Sequence, residues 1–103
     1  MKKNLDEDCG IRKAMKLVGS KWKVMLIRKM RDGAKRYGEL KRLIPDVSEK
    51  MLIQELKELM DAGLVAKIAY AEVPPRVEYK LTEKGEKALP ILDSIVAFGE
   101  ENF

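Results

Sequence analysis

The amino-acid sequence predicts a mainly α fold with a small β-hairpin. Two observations predict it. Apolar residues recur at the three- and four-residue spacing of amphipathic helices in five segments, whereas strict alternation occurs only in two neighbouring stretches late in the chain. Capping residues and glycines also fall at the joints between segments. A length of 103 residues supports one domain with a single core, and an apolar fraction of 46% suits a folded chain rather than a disordered one.

Ile11, Ala14, Met15 and Val18 predict a first helix over about Gly10–Val18, stopped by Gly19. Ser20 is the expected cap of a second helix, with Trp22, Met25, Leu26 and Met30 facing inward and Gly33 ending it. A third helix is expected over Tyr37–Ile44, burying Tyr37, Leu40, Leu43 and Ile44, before a tight Pro45-Asp46-Val47 connection. Ser48 caps the fourth, where Val47 and Leu52 form a hydrophobic staple. That helix carries a stripe of Leu52, Leu56, Leu59 and Met60 and ends at Gly63. Alternation over Leu64–Tyr70 and Arg76–Leu81 predicts two strands, joined by a loop that Pro74-Pro75 stiffens. Thr82 caps a last helix bearing Leu89, Ile91, Leu92, Ile95, Val96 and Phe98, which Pro90 should kink or restart.

This order, helix, helix, helix-turn-helix, hairpin, helix, is that of a winged helix-turn-helix spanning residues 1–103 as a single domain. In that motif the second helix of the pair lies in the major groove with its first turns at base edges. At about 100° per residue from Leu56, the outward positions of the fourth helix are Lys50, Met51, Gln54, Lys57 and Glu58. Gln54 can bond an adenine edge, Lys50 a guanine edge or a phosphate, and Met51 a thymine methyl. Ser48 and the free amides of the first turn suit a phosphate oxygen. Glu55 and Glu58 argue that the C-terminal half of this helix stays off the phosphates. Arg76, beside the proline pair, is a candidate for the minor groove or a phosphate, against a surface ion pair with Glu72 or Glu78. Lys21 and Lys23, at the start of the second helix, and Arg36 and Tyr37, entering the third, are further phosphate candidates.

Charge agrees with a polyanion partner. Net charge is +4, but Gly10–Arg42 holds twelve Lys or Arg against two acidic residues, and Leu43–Phe103 seven against twelve. The chain has no histidine, one cysteine and no glycine-rich phosphate loop, so general-base, zinc and nucleotide chemistry lack their usual residues. An enzyme is not expected, nor a cofactor or metal. No apolar run reaches the roughly 20 residues that cross a bilayer. The polar start is unlike a signal peptide and a lone thiol suits a reducing compartment, so a cytoplasmic location without membrane contact is expected.

At these residues the sequence resembles the HxlR-type transcriptional regulators. The resemblance is carried by Cys9 with Gly19-Ser20-Lys21-Trp22, by Arg36-Tyr37-Gly38-Glu39-Leu40, and by Ser48-Glu49-Lys50-Met51-Leu52 with Leu56-Lys57-Glu58-Leu59. Asp61-Ala62-Gly63-Leu64-Val65 follows, and Glu72-Val73-Pro74-Pro75-Arg76-Val77-Glu78-Tyr79 with Leu81-Thr82 and Gly85 is the most specific piece. Small departures are Gly10, Ser20 and Tyr37, where proline, glycine and phenylalanine are common. The resemblance implies a prokaryotic homodimer whose first and last helices pair across the two-fold. It bound to a pseudo-palindromic DNA operator would regulate transcription, with any small-molecule effector unknown. The resemblance also marks Cys9 as a candidate sensor of oxidants or electrophiles. Arg12 and Lys13 near a helix start favour a thiolate there, Asp6, Glu7 and Asp8 oppose it, and an inert thiol at the dimer seam is the alternative. The rival function is a winged helix used for protein interaction without DNA.

Overall fold

The computed structural model describes residues 2–103, with side chains from Glu7 onward. Five helices and three short strands follow one another: α1 (Lys2–Val18), α2 (Lys21–Lys29), β1 (Lys35–Arg36), α3 (Tyr37–Leu43), α4 (Glu49–Asp61), β2 (Val65–Tyr70), β3 (Arg76–Leu81) and α5 (Glu83–Asn102).

The expected caps are in place. Ser20, Ser48 and Thr82 each accept a hydrogen bond from the backbone N–H three residues on, in Lys23, Met51 and Gly85. Gly33 and Gly63 take the left-handed backbone, with φ of 143° and 76°. Thr82 also donates to the Gly63 carbonyl at 2.6 Å, and Lys84 to the Ala62 carbonyl at 2.6 Å, which ties the start of α5 to the end of α4.

Leu26 and Ile27 of α2, Leu40 and Ile44 around α3, and Leu52, Leu56 and Leu59 of α4 meet Leu64, Val65, Leu81 and Leu92 in one core. Val47 and Leu52 are both buried, as a staple requires. The strands form an antiparallel sheet in the order β1-β3-β2. Val65 pairs with Leu81 and Tyr70 with Arg76, so β2 and β3 form a hairpin that carries Pro74 and Pro75 exposed in its loop.

Several expectations need correction. Helix α1 begins at Lys2, about eight residues before Gly10. No proline interrupts it, and one internal glycine costs a helix only about 1 kcal/mol. Its first half has no apolar stripe to announce it. Within α2 the buried pair is Leu26 and Ile27, while Met25 lies outward, because α2 is packed by α4 on one side and α5 on another. Helix α2 stops at Met30, three residues before Gly33. Leu43 is exposed and Tyr37 half-buried, so only Leu40 and Ile44 seal α3. The sheet gains β1, whose two residues pair with Glu78 and Tyr79 and are too few to show alternation. Pro90 neither ends nor restarts α5, which runs through it.

Candidate nucleic-acid interface

Helix α4 is amphipathic, and its buried stripe sets which side chains project outward. Leu52, Glu55, Leu56 and Leu59 point into the body. Lys50, Met51, Gln54 and Lys57 consequently project to solvent, as does Ile53. Ser48 uses its oxygen to cap α4 at 3.1 Å from the Met51 amide, which leaves its hydroxyl proton free to donate outward. Lys50 makes no ion pair among the described residues. Met51 is 41% exposed, an apolar tip beside the open first turn. Lys57 reaches Asp61 at 3.3 Å one turn along, a surface pair that holds it weakly.

Gln54 is not a free amide. Its nitrogen donates to Glu58 Oε2 at 2.6 Å. The other oxygen of Glu58 accepts from Lys23, whose ammonium also donates to Glu55 Oε1 at 2.8 Å. Glu55 in turn accepts from the Ser20 hydroxyl. Lys23 therefore faces α4 rather than open solvent, and its ammonium is committed to two carboxylates. Burial alone would lower the Lys23 pKa, but the bonds to Glu55 and Glu58 outweigh it and raise the value. The Glu58 carboxyl is held below the ordinary glutamate range by the bond from Lys23, then by that from Gln54.

The remaining candidates lie on α2, at the β1–α3 junction and on β3. Lys21 is exposed, with its ammonium 4.6 Å from the Trp22 ring. Arg36 ends β1 and caps α3, its amide donating to Glu39 Oε1 at 2.9 Å, while its side chain lies in the open. Tyr37 follows with its hydroxyl pKa raised by desolvation and by Glu49 and Tyr79. Arg76 is drawn back: its guanidinium lies 3.9 Å from the Tyr70 ring and pairs with Glu72 at 3.1 Å. That is the ion-pair alternative the sequence offered, and it braces the loop end of the hairpin. Arg28 and Arg31 both bind Asp93 of α5, so part of the basic excess of the first half is consumed by acidic residues of the second.

Cys9 is exposed. Because α1 starts at Lys2, the thiol sits well inside the helix, and the expected helix-terminus argument for a reactive thiolate does not hold. The residue that sequence reasoning misjudged is Glu55, the sole buried charged side chain among the described residues. Its place three residues after Leu52 and one before Leu56 puts it within the buried stripe, and that spacing was the available signal. Among the described residues no cluster of His, Cys, Asp and Glu could hold a metal, and no helix is long and apolar enough to cross a membrane.

Comparison with known proteins agrees with this fold. The HxlR-like helix-turn-helix model matches residues 17–103. A structure described as a MarR-family transcriptional regulator from Porphyromonas gingivalis W83 is 55% identical and superposes with a TM-score of 0.84, covering 94% of this chain and 95% of that one. The redox regulator HypR in its oxidised form is 39% identical, with a TM-score of 0.85 over 92% of this chain and 98% of that one. YkvN of Bacillus subtilis strain 168, described as an HTH-type transcriptional regulator, is 45% identical over 91 residues, 88% of this chain and 77% of its own length. These relatives are regulators of winged-helix form and not enzymes.

Proposed function

The chain belongs to the HxlR-like helix-turn-helix family of transcriptional regulators, and on that premise we propose that it binds duplex DNA sequence-specifically as a homodimer. The observation that carries this reading is the open first half of α4, where Ser48, Lys50, Met51 and Gln54 project from the body beside a capped helix N-terminus. Placed in a major groove, Gln54 and Met51 meet base edges while Ser48, Lys50, Lys21 and Arg36 take phosphates. Lys57 sits at the margin of this face. Tyr37, at the start of α3, takes a phosphate beside Arg36. Lys23 and Arg76 are held by protein partners and serve the shape of the surface.

The dimer rests on apolar residues without cover in a single chain. Ile91, Ile95 and Phe98 line one side of α5, and Ile11 and Met15 one side of α1, all at least 45% exposed. Pairing α1 and α5 across a two-fold covers them and sets two copies of α4 on successive major grooves, roughly 34–36 Å apart, over a pseudo-palindromic operator. The protein then acts in the compartment that holds the DNA, the cytoplasm, as one domain.

Selection of bound duplexes from a random pool tests the proposal. A symmetric motif is the expected result, and failure to enrich any sequence would leave protein interaction as the use of this fold. Repeating the selection after mild oxidation tests Cys9. HypR is described as a redox regulator, and this chain has a single cysteine, so a response here requires a bridge between subunits or a small thiol. Unchanged binding after oxidation assigns Cys9 to packing alone.

A further inference from the structure

A continuous set of hydrogen bonds runs from buried Glu55 to the exposed amide of Gln54 on α4. Ser20, at the start of α2, donates to Glu55. Lys23, one turn later, donates to both Glu55 and Glu58, and Glu58 accepts from the Gln54 amide nitrogen at 2.6 Å. Glu55 is buried, and Lys23 is 12% exposed at its side chain, so the inner end cannot rearrange without uncovering a charge. The outer end inherits that fixity. A carboxylate can only accept hydrogen bonds, whereas an amide donates from its nitrogen and accepts at its oxygen. Ionised Glu58 thus settles which way the Gln54 amide turns: nitrogen toward Glu58, Oε1 away from it. Among the described residues nothing donates to Oε1.

We propose that Glu58, positioned by Lys23, fixes the Gln54 amide so that α4 offers an acceptor to the major groove, and that the base read there carries an amino donor. The inference rests on the DNA-binding reading above. Adenine presents N6–H and cytosine N4–H in the major groove, whereas guanine and thymine present acceptors, O6 with N7 and O4. An unrestrained glutamine can turn over and offer both N–H groups to guanine, whereas here one N–H is taken by Glu58 and the other sits beside Oε1, which guanine's two acceptors repel. Here that rotation would break a charge-assisted bond to Glu58. Glu58 is on this account a positioning residue, one that need not touch DNA to affect which base is accepted.

The test compares duplexes selected by the full-length wild-type protein, Gln54→Ala and Glu58→Gln. Glutamine at 58 keeps size and reach but can donate as well as accept, so either orientation of Gln54 is satisfied. The expected wild-type motif has adenine or cytosine at the position that Gln54→Ala relaxes, preferred by about tenfold. Glu58→Gln should reduce that preference to about twofold, admit guanine there, and leave every other position unchanged. A purely structural role would weaken all positions together. Glu58→Ala, which removes the restraint outright, should relax the same position and serves if Glu58→Gln does not fold. An unaltered motif in a folded Glu58 variant overturns the inference and leaves DNA binding intact, as does a wild-type preference for guanine or thymine at that position. Enrichment of no duplex by the wild-type protein overturns DNA binding itself, and the inference with it.

Discussion

Lys23 of α2 donates to Glu55 of α4 across a 2.8 Å gap, and the Ser20 hydroxyl donates to the same carboxylate. A buried acid on α4 thus finds its partners in the turn that opens α2. The pair adds a polar tie between two elements whose apolar sides share the core, and it gives α4 a preferred rotation about its own axis.

Removing one partner should be costly. Lys23→Met leaves Glu55 buried without its cation, and a loss of about 3 kcal/mol in unfolding free energy is expected from urea denaturation. The double variant Lys23→Met with Glu55→Leu should recover most of that loss, since two apolar residues can replace a buried pair. A double variant no more stable than Lys23→Met would show that the pair's geometry, not the stranded charge, was the dominant contribution.

Gly85 lies in the first turn of α5, where an added Cβ would sit 2.1 Å from the Leu64 carbonyl oxygen. At Gly63 an added Cβ would meet only the Lys84 side chain, in ordinary contact at 3.9 Å, but the φ is 76°. Gly85→Ala should therefore destabilise by about 3 kcal/mol through overpacking, against about 1 kcal/mol for Gly63→Ala from backbone strain alone. Thermal melting of the two variants checks the order. Equal shifts would mean that α5 can slide off the start of β2 freely.

Acid and alkali should act on different pairs. Glu58 is held below its ordinary pKa by Lys23 and Gln54, and Asp93 by Arg31 and, less strongly, Arg28. Each contributes stability above its unfolded pKa, near 4, that is lost as pH falls through the lower folded value. Lys23 has a raised pKa, so its contribution is present below about 10.4 and fades as pH rises through the folded value. Urea midpoints measured across pH should fall at both ends. Asp93→Asn should flatten only the acid side.

On DNA, Lys21 and Gln54 should separate. Lys21→Ala is expected to weaken binding to all duplexes alike and to lower the salt slope by about one, whereas Gln54→Ala acts at one base position. Fluorescence anisotropy at several salt concentrations distinguishes them. Equal loss across operator variants for both substitutions would remove the division between phosphate and base contacts.

Ile95 is 45% exposed on α5, and with α5 paired across a two-fold as proposed, Ile95→Glu should yield monomers in analytical ultracentrifugation. The variant should keep its helical circular dichroism while losing most operator affinity, because one α4 alone spans a half-site. A variant that sediments as the wild type does would take this side of α5 out of the interface.

Much of the fold was legible because its signals are local. A serine or threonine before an apolar stripe satisfies the free amides of a helix start whatever else the chain does, and Ser20, Ser48 and Thr82 all do so. The outward positions Lys50, Met51 and Gln54 followed from the angle between residues on one helix. The start of α1 was not legible, since a helix segment without an apolar stripe leaves no periodic trace. Met25 and Leu43 were misplaced because one helix in isolation does not reveal how many neighbours it has.

The sequence by itself determined the order of the five helices and the hairpin, the ends of most of them and the polar side of α4, all of which depend on residues within a turn or two of each other. Only the tertiary structure decided which charges stay available. Lys23 and Glu55 are 32 positions apart in the chain, and no short-range rule pairs them. Folding brings them together because α2 and α4 bury their apolar sides against each other. A cation that looks ready for a phosphate in the linear chain then becomes the anchor of the helix beside it.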